Sequence, residues 1–263
     1  MRLLFVLIAC LLLVILCMYN RHREGFSSTP DFIISINVHE NKDFLIKQLA
    51  NIKEYVEGKY IVVLNCNEYM YNELKDAHFD NNVIINPEII NKQRFTGTLL
   101  KGICSNMKVV IDNNIQFSYF LILSSRNLFY CKINANEIEK IPKIGYPSHQ
   151  VNFETWHWPV MTKTKLAQYY MSKNRNLISS CHEGFIFNYD TFKNVYEFLE
   201  SHTDIRDDLF SYNASVEEFA LQTIIVNQDS YFYNINQQCN GSSDDINTLT
   251  CGEHRFLYKT DRT

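Results

Sequence analysis

The sequence predicts an α/β protein built around one doubly wound, mostly parallel sheet flanked by helices. Short runs of β-branched and other apolar residues alternate with amphipathic runs at helical spacing, which is typical of parallel strands buried on both faces. Of the 263 residues, 46% are hydrophobic and 21% are charged, so the chain can bury the core of one large domain. The net charge of −4 and the absence of a run of Lys and Arg argue against nucleic acid as a partner.

The N-terminal segment is apolar from Leu3 to Met18 and is followed by the basic stretch "NRHR". As a helix this run would span about 24 Å, somewhat less than a hydrocarbon core of about 30 Å. A cleaved signal peptide is therefore an alternative, but no small-x-small cleavage site follows, which favours an uncleaved anchor. We expect residues 1–20 to cross the lipid bilayer as one transmembrane helix, 21–30 to be a linker and 31–263 to form a single domain. Basic residues on both sides of the run leave its orientation open.

Strands and helices of the first half follow each other in the order β-α-β-α-β-α-β. The strand-like runs are, in chain order, "DFIISINVHE", "KYIVVLNCN", "NVIINPE" and "SYFLILSS". Between them, "KDFLIKQLANIKEYV" and "TLLKGICSNMKVVI" place their apolar residues on one stripe of a helix. This order predicts an open doubly wound sheet whose ligands bind at the carboxyl ends of the strands.

Those carboxyl ends are polar. They carry His39-Glu40, Asn65-Cys66-Asn67 and Ser124-Ser125-Arg126-Asn127. Each group on its own is typical of turns and caps, but together they predict a polar rim that could hold a nucleotide, with His39, Arg126 and Asn127 as binding residues. The absence of GxGxxG, GxxxxGK[ST] and GxSxG argues against dinucleotide sites, P-loops and α/β-hydrolases.

An aromatic cluster opens the second half of the chain, where Trp156 and Trp158 flank His157. A tryptophan ring can bind the apolar face of a sugar or anchor a loop in the core, and both roles remain open. The helix-like run "DTFKNVYEFLESH" that follows later is amphipathic, with a core-facing stripe.

Cysteines and sequons bear on the compartment. Cys239 and Cys251 flank a polar loop and would close a short ring as a disulfide in an oxidising compartment, with two free thiols as the alternative. Sequons at Asn213 and Asn240 would agree with a lumenal domain. No Cys/His cluster at zinc spacing occurs, so a structural metal site is not expected.

The stretch "YNASVEEFALQTI" places two carboxylates in front of an apolar helix. One interpretation is a capping box, in which Ser215 caps the helix and Glu218 reaches back to the N–H of the cap residue. The other is a general base that is held at a helix start beside a pocket. The sequence around this stretch does not by itself separate the two.

The order of elements resembles the core-2/I-branching β-1,6-N-acetylglucosaminyltransferases and their relatives, the peptide O-xylosyltransferases. The similarity runs from about Asp31 to the C-terminus, and two segments carry it. "SSCHEGFIF" is similar to a GS-x-x-F-like segment of the family, and "SVEEF" corresponds to a helix that begins S-P-D-E-H. The chain differs in being shorter and in having Val216 where the family has Pro.

This resemblance implies a GT-A fold and an inverting transfer from a UDP-sugar, with GlcNAc or xylose as the sugar, to a hydroxyl of a glycan or glycoprotein. In the family the matching helix carries the catalytic glutamate, which falls on Glu218, and Glu217 stands where the family has Asp. His182, Glu183 and Glu217 are then expected to bind substrate, alongside Trp156 and Trp158. Together with the anchor, the resemblance implies a type II membrane glycoprotein of the ER or Golgi lumen, and a viral source is compatible with it.

The family also implies a transferase that needs no metal or other cofactor. In agreement, the sequence contains no Asp-x-Asp. The leaving diphosphate must then be neutralised by cationic side chains, which the resemblance places near the C-terminus, at Arg255 and Lys259. Solvated surface charge is the alternative role for these two residues.

Two other functions remain open. The chain could be a catalytically inactive, membrane-anchored carbohydrate-binding protein with the same fold, or a structural membrane protein of a large virus. Turnover of a sugar nucleotide would distinguish the transferase from both alternatives. Glycan binding without turnover would distinguish the carbohydrate-binding protein from the structural membrane protein.

Overall fold

The computed structural model describes residues 29–39, 41–145, 161–236 and 256–259. They form an α/β fold around a six-stranded sheet of order β3-β2-β1-β4-β6-β7. Its strands are β1 (Phe32–Val38), β2 (Tyr60–Cys66), β3 (Val83–Ile85), β4 (Tyr119–Ser124), β6 (Phe185–Asn188) and β7 (Tyr233–Asn234). The pairs β1–β2, β1–β4 and β2–β3 are parallel, whereas β6 runs antiparallel to β4 and β7 antiparallel to β6. The predicted mostly parallel sheet is confirmed, and two strands of the second half add a mixed edge to it.

A second, two-stranded sheet pairs β5 (Asn127–Phe129) with β8 (Leu257–Lys259) in antiparallel fashion. The helices of the described part are α1 (Lys42–Tyr55), α2 (Glu68–Leu74), α3 (Thr98–Asp112), α4 (Ala135–Ile138), α5 (Lys165–Met171), α6 (Tyr189–Ser201), α7 (Thr203–Ser211) and α8 (Ala220–Asn227). A short 3-10 helix, η1, covers Val216–Glu218 and directly precedes α8.

Helices cover both faces of the main sheet, as the sequence predicts. On one face, Leu45 and Ile52 of α1 pack against the alternate β1 residues that include Ile34 and Ile36. On the other face, α3, α6, α7 and α8 form the second core cluster with Ile33 of β1. All strand residues of β1 are buried, because a parallel strand in the middle of such a sheet exposes neither face.

Asparagine side chains cap several of these helices. Asn41, Asn67, Asn134 and Asn188 each accept a hydrogen bond from the backbone N–H three residues on, which satisfies a donor that has no partner inside the helix. Asn67 belongs to the predicted polar rim, and its Oδ1 accepts from the N–H of Met70 at 2.8 Å. Capping is therefore the role that its carboxamide oxygen has in the structure.

The predicted anchor at residues 1–20 and most of the linker lie outside the described residues. Within the part that is described, no helix combines the length and the apolar character needed to cross a membrane.

Candidate active site

Three parallel strands end side by side at one edge of the main sheet, at Val38, Cys66 and Ser124. The chain leaves β1 through α1, on one face, and enters β4 through α3, on the other. The carboxyl ends of β1 and β4 therefore flank the point at which the strand order reverses. In open α/β sheets this is the place where ligands bind.

His39 and Ser125 meet at this switch point. His39 follows β1 and is exposed, and the Ser125 hydroxyl lies 3.3 Å from its Nε2 and 3.4 Å from its Nδ1. Arg126 is the next residue and is half-buried. His39 and Arg126, two residues of the predicted rim, thus both follow strands that end at this switch point.

Asn127, the third predicted rim residue, is fully buried. Its Oδ1 accepts from the N–H of Ser124 at 2.8 Å, and its backbone carbonyl accepts from Nε2 of Gln48 at 2.8 Å. These contacts fix the turn between β4 and β5. They give Asn127 a structural role, while its buried Nδ2 has no hydrogen-bond partner among the described residues. Its role in binding stays a prediction.

Lys92 is a cation at the same edge that the sequence did not reveal. Its Nζ donates to the carbonyl of Asn65, near the end of β2, at 2.9 Å. Burial lowers the pKa of this ammonium to about 8. Gly102 of α3 makes room for it, because a Cβ there would stand 2.8 Å from Lys92 Cε. The surrounding loop, "INPEIINKQRF", has no pattern from which this position could have been recognised.

The acidic pair of "SVEEF" lies against the segment that precedes β6. The N–H of Ser180 donates to the carbonyl of Glu218 at 2.9 Å. Gln222 Nε2 donates to the carbonyls of Ser180 and Glu217 at 3.1 and 3.3 Å. Hydrogen bonds in both directions between Ile178 and the Thr223 hydroxyl, at 2.8 and 3.0 Å, extend this connection along α8. Two stretches, linked by side-chain hydrogen bonds that span 42 to 45 residues of sequence, are thereby held as one unit.

Gly184 places this unit at the carboxyl edge. Its N–H donates to the carbonyl of Ile122 near the end of β4 at 2.9 Å, and its φ is +74°. A Cβ at this position would come within 2.9 Å of the backbone N of Asn236. A residue without a side chain is therefore required for His182 and Glu183 to reach the end of the sheet as β6 begins.

His182, Glu217 and Glu218 form a compact cluster. One potential ligand atom of each lies within 4.8 Å of the others, so the three could share one small ligand or ion. Glu217 is 2% exposed, and its Oε2 has no hydrogen-bond partner among the described residues. Burial raises the pKa of Glu217 to about 8, and the negative charges of Glu218 and Glu183 add to the shift. Glu218 is half-buried, so it can meet both solvent and a substrate.

The capping-box interpretation is wrong for this stretch. Ser215 makes no side-chain cap hydrogen bond, and Val216–Glu218 form a 3-10 turn before α8 begins at Ala220. The long-range hydrogen bonds to Ser180 and the burial of Glu217 fix the backbone here instead. The carboxylate pair is consequently not explained by the start of the helix.

Several other predicted residues are not part of the chain that the structure describes. Trp156, Trp158, Arg255 and the sequon at Asn240 are not among the described residues. The backbone of Lys259 pairs with Asn127 in the small sheet. Asn213 is exposed in the bend that precedes η1.

The four cysteines within the described residues form two groups. Cys131 and Cys181 are disulfide-bonded, whereas Cys66 and Cys104 are buried free thiols. The predicted pair of Cys239 and Cys251 lies outside the described residues.

A cavity of about 380 Å³ lies between α1 and the outer strands β2 and β3. Apolar side chains line it together with Lys42, Lys53 and Asp80, and the last two form a salt bridge at 2.8 Å. None of the predicted site residues lines this cavity, so we do not assign it to the site.

No protein-family model matches the chain, and no curated protein matches it with significant similarity.

Proposed function

We propose that the chain is a membrane-anchored inverting glycosyltransferase that moves a sugar, GlcNAc or xylose, from a UDP-sugar to a hydroxyl of a glycan or glycoprotein. The observation that carries this proposal is the half-buried Glu218, held beside the buried Glu217 and His182 at the carboxyl edge of the sheet. A mostly parallel sheet with its site at that edge is compatible with the GT-A fold that the family resemblance implies.

Glu218 is the proposed general base. In an inverting transfer, one carboxylate removes the proton of the acceptor hydroxyl while the oxygen of that hydroxyl attacks the anomeric carbon of the donor. The bond from that carbon to the UDP oxygen breaks with inversion, and UDP leaves with the electron pair. The backbone hydrogen bond from Ser180 to Glu218 fixes the base relative to the segment that carries His182. Fixed placement of this kind is the condition for efficient proton transfer.

Glu217 and Glu183 are proposed to bind the acceptor. Both are buried, and the unpartnered Oε2 of Glu217 can accept from or share a proton with a sugar hydroxyl. A buried polar atom that lacks a protein partner is expensive unless a ligand or water supplies one. This cost favours a substrate contact at Glu217.

The leaving diphosphate needs positive charge, and we propose that it comes from side chains instead of a metal. Lys92 and Arg126 are described cations at the same edge, and Arg255 and Lys259 are the ones that the family resemblance implies. Guanidinium and ammonium groups can bind phosphate oxygens as forked or point donors. We also propose that His39, whose ring lies 3.3 Å from the Ser125 hydroxyl at the switch point, contacts the nucleotide.

The proposed location is the ER or Golgi lumen, with the N-terminal segment as a type II anchor. The disulfide bonds of Cys131 and Cys181 support an oxidising compartment, and the exposed Asn213 is accessible for glycan attachment.

The test is UDP release by the full chain, purified in detergent, from a panel of UDP-sugars with and without acceptor glycans. We expect release that depends on the acceptor and is lost in Glu218→Gln. Glycan binding with no release from any donor would instead support the inactive carbohydrate-binding protein.

A further inference from the structure

The buried carboxyl group of Glu217 needs a compensating positive charge. Its carboxylate is 2% exposed, and Oε2 has no partner among the described residues. Glu218 and Glu183 bring further negative charge close to it. An isolated carboxylate in such a position is strongly disfavoured unless a proton or a cation compensates it.

The surrounding side chains are those that hold a metal ion. His182 offers an imidazole nitrogen, and Glu217 and Glu218 each offer a carboxylate oxygen, with the three atoms within 4.8 Å of one another. Around one tetrahedral zinc, ligand atoms at about 2.1 Å from the metal stand about 3.4 Å apart. Side-chain shifts on the order of 1 Å would therefore bring the three donor atoms to the separation found around a zinc ion.

The backbone holds this donor set together. His182 and the two glutamates come from different segments, which the bonds from Ser180 to Glu218 and from Gln222 to Ser180 and Glu217 tie to each other. His182 and Glu218 are half-buried, so an ion can enter from solvent, whereas Glu217 forms the buried floor. Three protein ligands leave a fourth position open to water or a ligand.

We propose that His182, Glu217 and Glu218 form a divalent-cation site that prefers zinc to magnesium or calcium. An imidazole donor favours zinc, while magnesium and calcium favour sites made of oxygen atoms alone. The cation neutralises the buried carboxylate.

Binding of the cation does not depend on the proposed function, but its effect on turnover does. A metal bound to Glu218 occupies the oxygen that would accept the acceptor proton. Zinc should therefore inhibit a transferase that uses Glu218 as its base. The site is in this view a means by which zinc lowers activity, and it is not a cofactor site.

Zinc binding to the full chain in detergent tests the proposal, by titration calorimetry after treatment with a chelator and its removal. We expect one zinc per chain, with affinity at least tenfold weaker in His182→Ala and in Glu217→Gln. His78→Ala, which removes an exposed histidine after α2, should bind as the wild type does. Circular dichroism without zinc checks that each variant is folded, and His182→Gln replaces His182→Ala if the latter is not.

Three results would overturn the site: no zinc binding by folded wild type, equal binding by all the variants, or magnesium bound as tightly as zinc. UDP release measured on the same samples separates the two proposals. Loss of zinc binding in the variants with no release from any donor supports the cation site and rejects the transferase. Release of UDP by a wild-type protein that binds no zinc supports the transferase and rejects the cation site.

Discussion

The backbone N–H of Ser180 donates to the carbonyl of Glu218 across 2.9 Å and joins two segments that are distant in sequence. Gln222 adds side-chain hydrogen bonds to the same two segments. As a result, both carboxylates of "SVEEF" are directed into a site with His182 instead of only starting a helix.

The first prediction concerns Glu218→Gln. The amide cannot take the proton of the acceptor, so we expect kcat to fall by roughly 10²-fold or more, with donor binding and thermal stability little changed. Steady-state kinetics of UDP release measures this change. Glu217→Gln is the matched control and should have a milder effect, mainly on the KM of the acceptor.

Comparison of the two variants shows which of the two glutamates, if either, is the base. If Glu217→Gln is the variant that loses turnover, the base is Glu217. If both variants remain active, neither carboxylate is the base and the catalytic role of this stretch is rejected.

The second prediction concerns chelation. Because side-chain cations are proposed to neutralise the diphosphate, EDTA should leave turnover intact, and it should raise turnover in preparations that contain zinc. Arg255→Ala should weaken UDP binding, measured by calorimetry, while leaving the fold unchanged. Loss of turnover in EDTA that manganese restores would contradict the metal-independent mechanism.

The third prediction concerns the pH dependence of stability and Lys92. Burial lowers its pKa from 10.5 in a free side chain to about 8 in the fold. Between these two values the unfolded chain binds more protons at this residue, so its contribution to the free energy of unfolding rises with pH. For this shift of about 2.5 pKa units, the rise amounts to at most about 3.4 kcal/mol, at about 1.36 kcal/mol per pKa unit.

Lys92→Met should remove this contribution, which denaturant unfolding between pH 8 and pH 10.5 can measure. Burial raises the pKa of Cys66 to about 11, so the titration of this thiol makes the free energy of unfolding fall with pH, opposite to the effect of Lys92. Because the charge of Lys92 in turn lowers the pKa of Cys66, Cys66→Ala is introduced into both proteins, and the difference between them then isolates Lys92. Parallel stability curves for the two proteins would show that Lys92 is not desolvated.

The fourth prediction concerns Gly184→Ala. The backbone has φ +74°, and the new Cβ would lie 2.9 Å from the backbone N of Asn236. We expect the free energy of unfolding to fall by about 3 kcal/mol or more, since both the left-handed conformation and the backbone contact are unfavourable. The corresponding drop in Tm is roughly 6–12 °C for a domain of this size.

Gly58→Ala is the control for this substitution. Gly58 also has a positive φ, of +96°, but the atoms nearest to its Cβ would belong to the carboxylate side chain of Asp31, which can move. We expect Gly58→Ala to lower the free energy of unfolding by less than Gly184→Ala does. Equal losses in the two variants would show that the contact with Asn236 adds nothing.

The first half of the fold could be predicted from the sequence because each of its elements is defined by a local pattern. The runs around Ile34, Val63 and Leu121 are nearly all apolar, as is typical of strands buried on both faces. The stripes of α1 and α3 likewise show which side of each helix meets the sheet. The antiparallel addition of β6 and β7 could not be predicted in this way, because a strand of four residues and one of two residues give no clear period.

Sequence alone also determined that polar residues follow the strands and that "SVEEF" carries two adjacent carboxylates. Only the tertiary structure decided what those residues do. Asn67 and Asn127 are used for a cap and a turn, because their nearest unpaired backbone N–H groups are local. Lys92 and the cluster of His182 with the two glutamates depend on contacts between distant segments. Burial and long-range hydrogen bonds are properties of the packed chain, so no local pattern encodes the raised pKa of Glu217 or the lowered pKa of Lys92.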